Sequence, residues 1–181
     1  MKNIFIILLL LCPAFLIIAQ DKKNSEPSTV KYVDLNKYTG TWYEIAKIPN
    51  WFQEDCIKNT TASYKLNEDG EIEVINRCLE EDGNYDEADG TAVVVDKKSN
   101  SKLEVSFVKI LGINLFWGDY WIIGLDDNYQ YAVIGTPTRK YGWILSRQAQ
   151  MPEEDLNEAY TILRKQGYNP DDFEMTKQDK R

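Results

Sequence analysis

The sequence predicts an all-β protein: an eight-stranded antiparallel up-and-down β-barrel with one C-terminal α-helix packed on its wall. Three observations carry this. From Gly40 onward, short runs rich in β-branched and aromatic residues alternate with turn residues, the pattern of a barrel or sandwich. Eight such runs follow one another with local connections, which suits successive antiparallel pairing. A single amphipathic helical pattern comes after the last run, and 181 residues suit one domain with one core.

The chain opens on Lys2 and an apolar run over residues 4–11, extended by residues 15–19. A basic start, an apolar middle and a small residue before the cut make a secretory signal peptide over residues 1–19, cleaved between Ala19 and Gln20. Pro13 and the polar stretch after Ala19 argue against a membrane-spanning helix. A third reading acylates Cys12 as a lipid anchor. Leu10 and Leu11 stand where that processing wants small residues, and the greasy residues 15–18 would then remain in the mature chain. Residues 20–32 read as a flexible spacer, 33–176 as the barrel domain and 177–181 as a frayed tail.

Asp34 is placed to cap one helical turn before Gly40. Strands are predicted over residues 40–48, 60–66, 71–78, 88–96, 102–108, 120–125, 131–136 and 141–147. Asp69-Gly70, Lys98-Ser99-Asn100 and Asp126-Asp127-Asn128 mark tight connections. Pro152 and the acids after it open the helix, whose stripe of Leu156, Ala159, Tyr160 and Leu163 is a face for packing on the barrel. Gly167 stops it, and residues 171–175 allow a short extra strand.

Charge and composition narrow the function. The chain carries net charge −8, and losing the leader removes one lysine and no acid. An acidic surface repels phosphate backbones and anionic lipid, so nucleic acid is not an expected partner. Histidine is absent, which removes the commonest general base and the commonest zinc ligand. No cofactor, metal or catalytic residue is expected. Asp82, Asp86, Glu87 and Asp89 cluster without a calcium-loop spacing and read as surface acids. Cys56 and Cys78 remain after cleavage, and in an exported protein a disulfide between them is expected rather than two unpaired buried thiols. The Asp69-Gly70 turn folds the two segments together, with Cys56 slightly short of its ladder partner.

Gly40-Thr41-Trp42-Tyr43, Gly118-Asp119-Tyr120 and the late Arg147 resemble the three signatures of lipocalins. Asp69-Gly70, Val74-Ile75-Asn76 and the run from Arg139 to Arg147 are similar to the bacterial outer-membrane subgroup, kin of apolipoprotein D. The resemblance spans residues 33–168. It implies a barrel that carries small hydrophobic or amphiphilic ligands, fatty acids and lysophospholipids among them, in outer-membrane lipid maintenance. An exported protein of the periplasm or outer membrane, or a secreted one, follows from it. Enzymes are few in the family, and none is expected here.

Gly40, Trp42 and Arg147 are then the closing device, with the arginine laid across the indole. Trp42 sets the inward face of the first strand, which gives Glu44, Ala46 and Ile48. The resemblance turns Ala62, Tyr64 and Leu66 inward, then Val74 and Asn76. Ala92, Val94, Val105 and Phe107 follow, then Ile122 and Ile134, and on the last strand Tyr141, Trp143 and Leu145. Apolar walls with sparse polar groups suit a small-molecule pocket. Buried Glu44 must be protonated, hydrated or paired, and serves either a polar network or a ligand. Two rim loops, 49–55 with Trp51 and Phe52 and 109–118 with Leu115, Phe116 and Trp117, are unusually apolar. They either fold over the mouth or meet a membrane, a lipid or another protein.

Overall fold

Asp34 caps the first helix, α1 (Leu35–Tyr38), its Oδ1 accepting from the Asn36 amide at 3.0 Å. This turn begins the domain in a computed structural model that describes residues 25–179. The proposed leader, Cys12 and the cleavage point lie outside the described residues. The strands are β1 (Gly40–Lys47), β2 (Cys56–Leu66), β3 (Ile72–Glu80), β4 (Tyr85–Val94), β5 (Lys102–Ser106), β6 (Val108–Ile110), β7 (Ile113–Leu115), β8 (Gly118–Leu125), β9 (Tyr131–Gly135), β10 (Gly142–Ser146) and β11 (Glu174–Met175). Helix α2 (Glu153–Lys165) lies between the last two.

Eight strands make the barrel, in the order β1, β2, β3, β4, β5, β8, β9, β10, each antiparallel to its neighbours. The ladder between β10 and β1, from Tyr43 opposite Ser146 to Lys47 opposite Trp143, closes it. Closure removes the exposed edges that an open sheet would present. The predicted architecture is therefore the observed one. The differences are local. Strand β2 starts at Cys56 and β4 at Tyr85, earlier than the alternation suggests. The upper part of β2 is irregular, with two register shifts against β3 and Asn59 at φ 57°, so its hydrophobic alternation is lost. The apolar rim segment is a hairpin, β6–β7, turned by Leu111 and Gly112, both at positive φ as two-residue hairpins require.

Two apolar clusters lie on opposite sides of the wall. The interior one gathers Trp42, Val74, Leu103, Ile122, Ile134 and Leu145, with Val33 and Tyr38 rising from the closed end. The outer one packs Ile45, Ala46, Trp121, Val133 and Ile144 against Ala159 and Leu163 of α2. A Cβ on Gly124 would come to 2.8 Å from Ile162, so glycine is what lets the helix settle on β8. Pro152 stands at the N-cap, just ahead of the position expected, with Glu153, Glu154 and Asp155 in the first turn. Gly167, at φ 81°, ends the helix as predicted.

At the closed end the Arg147 guanidinium lies 3.8 Å from the Trp42 ring centroid. It donates to the carbonyls of Lys37 (2.8 Å), Thr39 (2.8 Å) and Thr41 (2.9 Å), while Trp42 Nε1 donates to Tyr38 O at 2.8 Å. One planar cation thus ties the last barrel strand to the first and to the turn that plugs the base. Gly40 sits at φ 92° beside it, where an added Cβ would stand 3.3 Å from Arg147.

Both terminal segments are more ordered than the sequence suggests. From residue 25 the expected spacer is tied down: Val30 N donates to Ile122 O, Ser101 Oγ to Thr29 Oγ1, and Arg139 to Ser25 O. The tail residues 177–179, expected to fray, are instead strapped across β1 and β2. Gln178 Nε2 donates to the carbonyls of Glu44 (2.8 Å) and Thr60 (2.9 Å), and Asp179 pairs with Lys58 at 2.9 Å. The strap satisfies backbone groups that the irregular β2 leaves without ladder partners.

Candidate ligand-binding site

The mouth of the barrel is shaped by one extra residue in β1. Against β10, Glu44 faces Leu145 and Ala46 faces Ile144, so Ile45 is unopposed. A bulge of this kind reverses which face the following residues take. Ala46 and Ile48, predicted inward, therefore belong to the outer cluster under α2. In their place Lys47, opposite the inward Trp143, turns into the barrel.

Glu44 keeps its predicted inward position and is 3 % exposed. Its carboxylate accepts from Gln53 Nε2 at 2.8 Å and Thr176 Oγ1 at 2.5 Å, with Lys47 Nζ at 3.8 Å. Gln53 Oε1 in turn accepts from Trp143 Nε1 at 3.1 Å. A buried charge so partnered avoids most of the cost of desolvation. The structure gives Glu44 hydrogen-bond and ion-pair partners.

Above this network the aromatic rings of Phe52, Tyr141 and Trp143 touch, with centroids 5.4 Å apart for Phe52–Tyr141 and 6.2 Å for Tyr141–Trp143. Trp51 and Phe52 are 73 % and 48 % exposed, so this loop leans on one wall rather than sealing the mouth. The hairpin side carries Leu111, Ile113 and Phe116, at 98, 64 and 82 %. Trp117 is exposed as well, whereas Leu115 is half-buried and lends its carbonyl to Ser106. The exposed large apolar side chains gather at this end; Tyr32, Val95 and Met175 lie elsewhere.

Mid-barrel, three phenols meet. Tyr38 and Tyr120 share a hydrogen bond of 2.7 Å, and Tyr64 donates to Tyr120 at 3.0 Å. Burial pushes all three hydroxyls up, Tyr64 to about 12. Phenols held neutral in the fold but free to ionise when unfolded stabilise it fully below pH 10, the unfolded value. That contribution drains away as pH rises through the higher folded values, by about 1.4 kcal/mol per phenol per pH unit. Alkaline denaturation monitored by circular dichroism should therefore steepen above pH 10, and replacing the three tyrosines by phenylalanine should flatten that limb.

The remaining predicted wall is largely in place. Ala62 faces Trp42 across the β1–β2 ladder and Asn76 faces Ala62. Val74, Ile122 and Ile134 are buried in the interior cluster, with Leu66 and Val105 packed against it. Phe107 is 41 % exposed, just past the end of β5. Its ring covers Gly90, where a Cβ would be 2.7 Å away, so it walls the rim rather than the depth. Tyr64, Val94, Val105, Tyr120 and Trp143 pack against the interior cluster yet keep accessible surface. Cys56 and Cys78 are disulfide-bonded, Cα atoms 5.5 Å apart, pinning the start of β2 to β3 beside the mouth.

Sequence reasoning missed Lys47, Gln53, Thr176, Tyr38 and Tyr120. Tyr120 was within reach, since it shares parity with Ile122. The others depend on the bulge, the rim loop, the strap and the plug. Among the described residues no group of three or more His, Cys, Asp or Glu side chains is arranged to hold a metal. No described helix is long and apolar enough to cross a membrane.

A calyx of eight antiparallel strands, shut at one end by an arginine over an indole and open at the other through an apolar lip, defines a barrel built for small hydrophobic ligands. A family model described as a lipocalin-like domain matches residues 33–178. The chain belongs to the lipocalin family, whose members are typically binding and transport proteins for small hydrophobic ligands. It is 39 % identical to temperature-induced lipocalin-1 of Arabidopsis thaliana over 86 % of this chain and 85 % of that one. It is 33 % identical to outer membrane lipoprotein Blc of Escherichia coli (81 % and 80 % covered) and 35 % identical to apolipoprotein D of Macaca fascicularis (78 % and 75 %). Among solved structures, insecticyanin of the tobacco hornworm superposes with TM-score 0.68 over 84 % of each chain at 21 % identity, a likeness of fold.

Proposed function

We propose that this lipocalin carries fatty acids, lysophospholipids or similar amphiphiles in its barrel and serves outer-membrane lipid maintenance from an exported position. The observation that carries the reading is the make-up of the barrel: an apolar inward wall that keeps accessible surface, a polar network at its mouth and an apolar rim around it. Each methylene buried there contributes roughly 0.8 kcal/mol, so an acyl chain needs no special contact to bind well. Glu44, Lys47 and Gln53 give a head group polar company where the chain leaves the barrel. The proposed ligand contacts are Ala62, Tyr64, Val74, Asn76, Val105, Phe107, Ile122, Ile134, Tyr141 and Trp143. The name of the Escherichia coli relative supports the outer-membrane setting.

Displacement of a fluorescent fatty acid at micromolar concentration is the expected result, and no displacement would sink the carrier reading. Native mass spectrometry of protein purified from its own host should show bound lipid. The same spectrum distinguishes a chain beginning at Gln20 from one acylated at Cys12.

A second reading, contact with a membrane or a protein through the hairpin lip, is favoured by the crowding of exposed apolar side chains at the mouth. Replacing Phe116 and Trp117 by serine should abolish vesicle or partner association and leave fatty-acid displacement intact.

A further inference from the structure

The tyrosine cluster has more donors than bonds. Tyr38, Tyr64 and Tyr120 bring three O–H groups to one place, and two hydrogen bonds join them. Tyr64 spends its proton on Tyr120. Whichever way the Tyr38–Tyr120 bond runs, one of that pair keeps a proton with no acceptor among the described residues. The cluster stands against the closed-end core: the Tyr38 ring lies 5.0 Å from Trp42 and 5.6 Å from Tyr64, and Tyr64 lies 6.0 Å from Tyr120. Tyr64 and Tyr120 nevertheless keep accessible surface, so the spare donor can be reached from the barrel interior when Tyr120 carries it.

We propose that this phenol trio is a carbonyl-binding site that takes the neutral ester carbonyl of a bound acyl lipid. The inference rests on the carrier reading above and names its ligand chemistry. A lone O–H deep in an apolar wall is left unsatisfied by a plain hydrocarbon, which costs the hydrocarbon affinity. Water entering from the mouth can meet it, and an ester carbonyl can replace that water bond for bond.

An ionised carboxylate is the wrong partner. Glu44 acts unfavourably on a negative charge at Tyr64. Lys47 is engaged by Glu44 and Gln53, and the Arg147 guanidinium is spent on the carbonyls of the plug. Arg147 acts favourably on a negative charge at Tyr38, but burial is the larger influence and opposes it, so the trio offers hydrogen-bond donation without a paired cation and a neutral acceptor matches it.

The test compares methyl laurate with a straight-chain alkane of matched length as displacers of a fluorescent apolar dye. On the wild type the ester should compete about threefold to tenfold better, the worth of one hydrogen bond. In the triple variant Tyr38→Phe, Tyr64→Phe, Tyr120→Phe that ratio should fall to about one. In Tyr38→Phe alone it should persist, because Tyr120 then holds the spare proton. A ratio near one on the wild type, or one that survives in the triple variant, overturns the carbonyl site while the carrier reading stands. If neither compound displaces the dye from the wild type, both fail. A second measurement needs no variant: the infrared band of carbonyl-labelled methyl laurate bound to the wild type should lie below its frequency in hexane. A hexane-like band overturns the proposal.

Discussion

Replacing Trp42 by alanine should lower the free energy of unfolding by about 4 kcal/mol, the range for emptying a fully buried tryptophan site. The indole is 0 % exposed and is the floor on which the barrel interior rests. Its loss removes the face over which the half-buried Arg147 stacks, a cation–π contact of about 1 kcal/mol within that total. It also removes the support beneath Tyr38, whose ring it touches. Arg147 would keep its carbonyl acceptors, so the plug should loosen rather than detach. Trp42→Phe is the control. It keeps an aromatic face and gives up the bond from Nε1 to Tyr38 O, worth about 1 kcal/mol. Urea denaturation of the two variants checks this, and equal losses would mean that the ring itself does little.

Removal of the disulfide comes next in size. Cys56 and Cys78 enclose a loop with a sequence separation of 22 residues. Freeing the unfolded chain of that constraint costs the fold about 3 kcal/mol, which at this chain length is roughly 6–12 °C of melting temperature. The damage should be uneven. The start of β2 is out of regular register and is held by the disulfide and the C-terminal strap. In a Cys56→Ala, Cys78→Ala variant, amide exchange should quicken there first and later in the regular ladder from Thr61 to Leu66. Uniform acceleration along β2 would show that the bond stabilises only through the unfolded state.

Both predictions concern parts that were readable in advance. Trp42, Arg147 and the cysteines are few, chemically distinctive and placed at recognisable points along the strand series. The resemblance supplied the facing of each strand after the first, and the structure agrees with it where the alternation is unbroken, as at Val74, Ile122, Ile134 and Trp143. Alternation failed at Ala46 and Ile48, because one unopposed residue reverses every assignment beyond it and leaves no mark in the composition. The frayed tail was misjudged for a related reason. Its polar residues look dispensable until the irregular half of β2 presents the Thr60 carbonyl that Gln178 reaches.

The linear sequence determined the closed barrel, its single helix and its family, because period-two hydrophobicity and a handful of aromatic and glycine positions act through nearest neighbours. Only the three-dimensional arrangement decided the character of the interior: that Lys47 answers Glu44, that the tail covers the gap in the wall, and that three tyrosines from a plug and two separate strands share one spare proton. Those groups lie far apart along the chain, from Tyr38 to Thr176, and no local pattern records a meeting that only closure brings about.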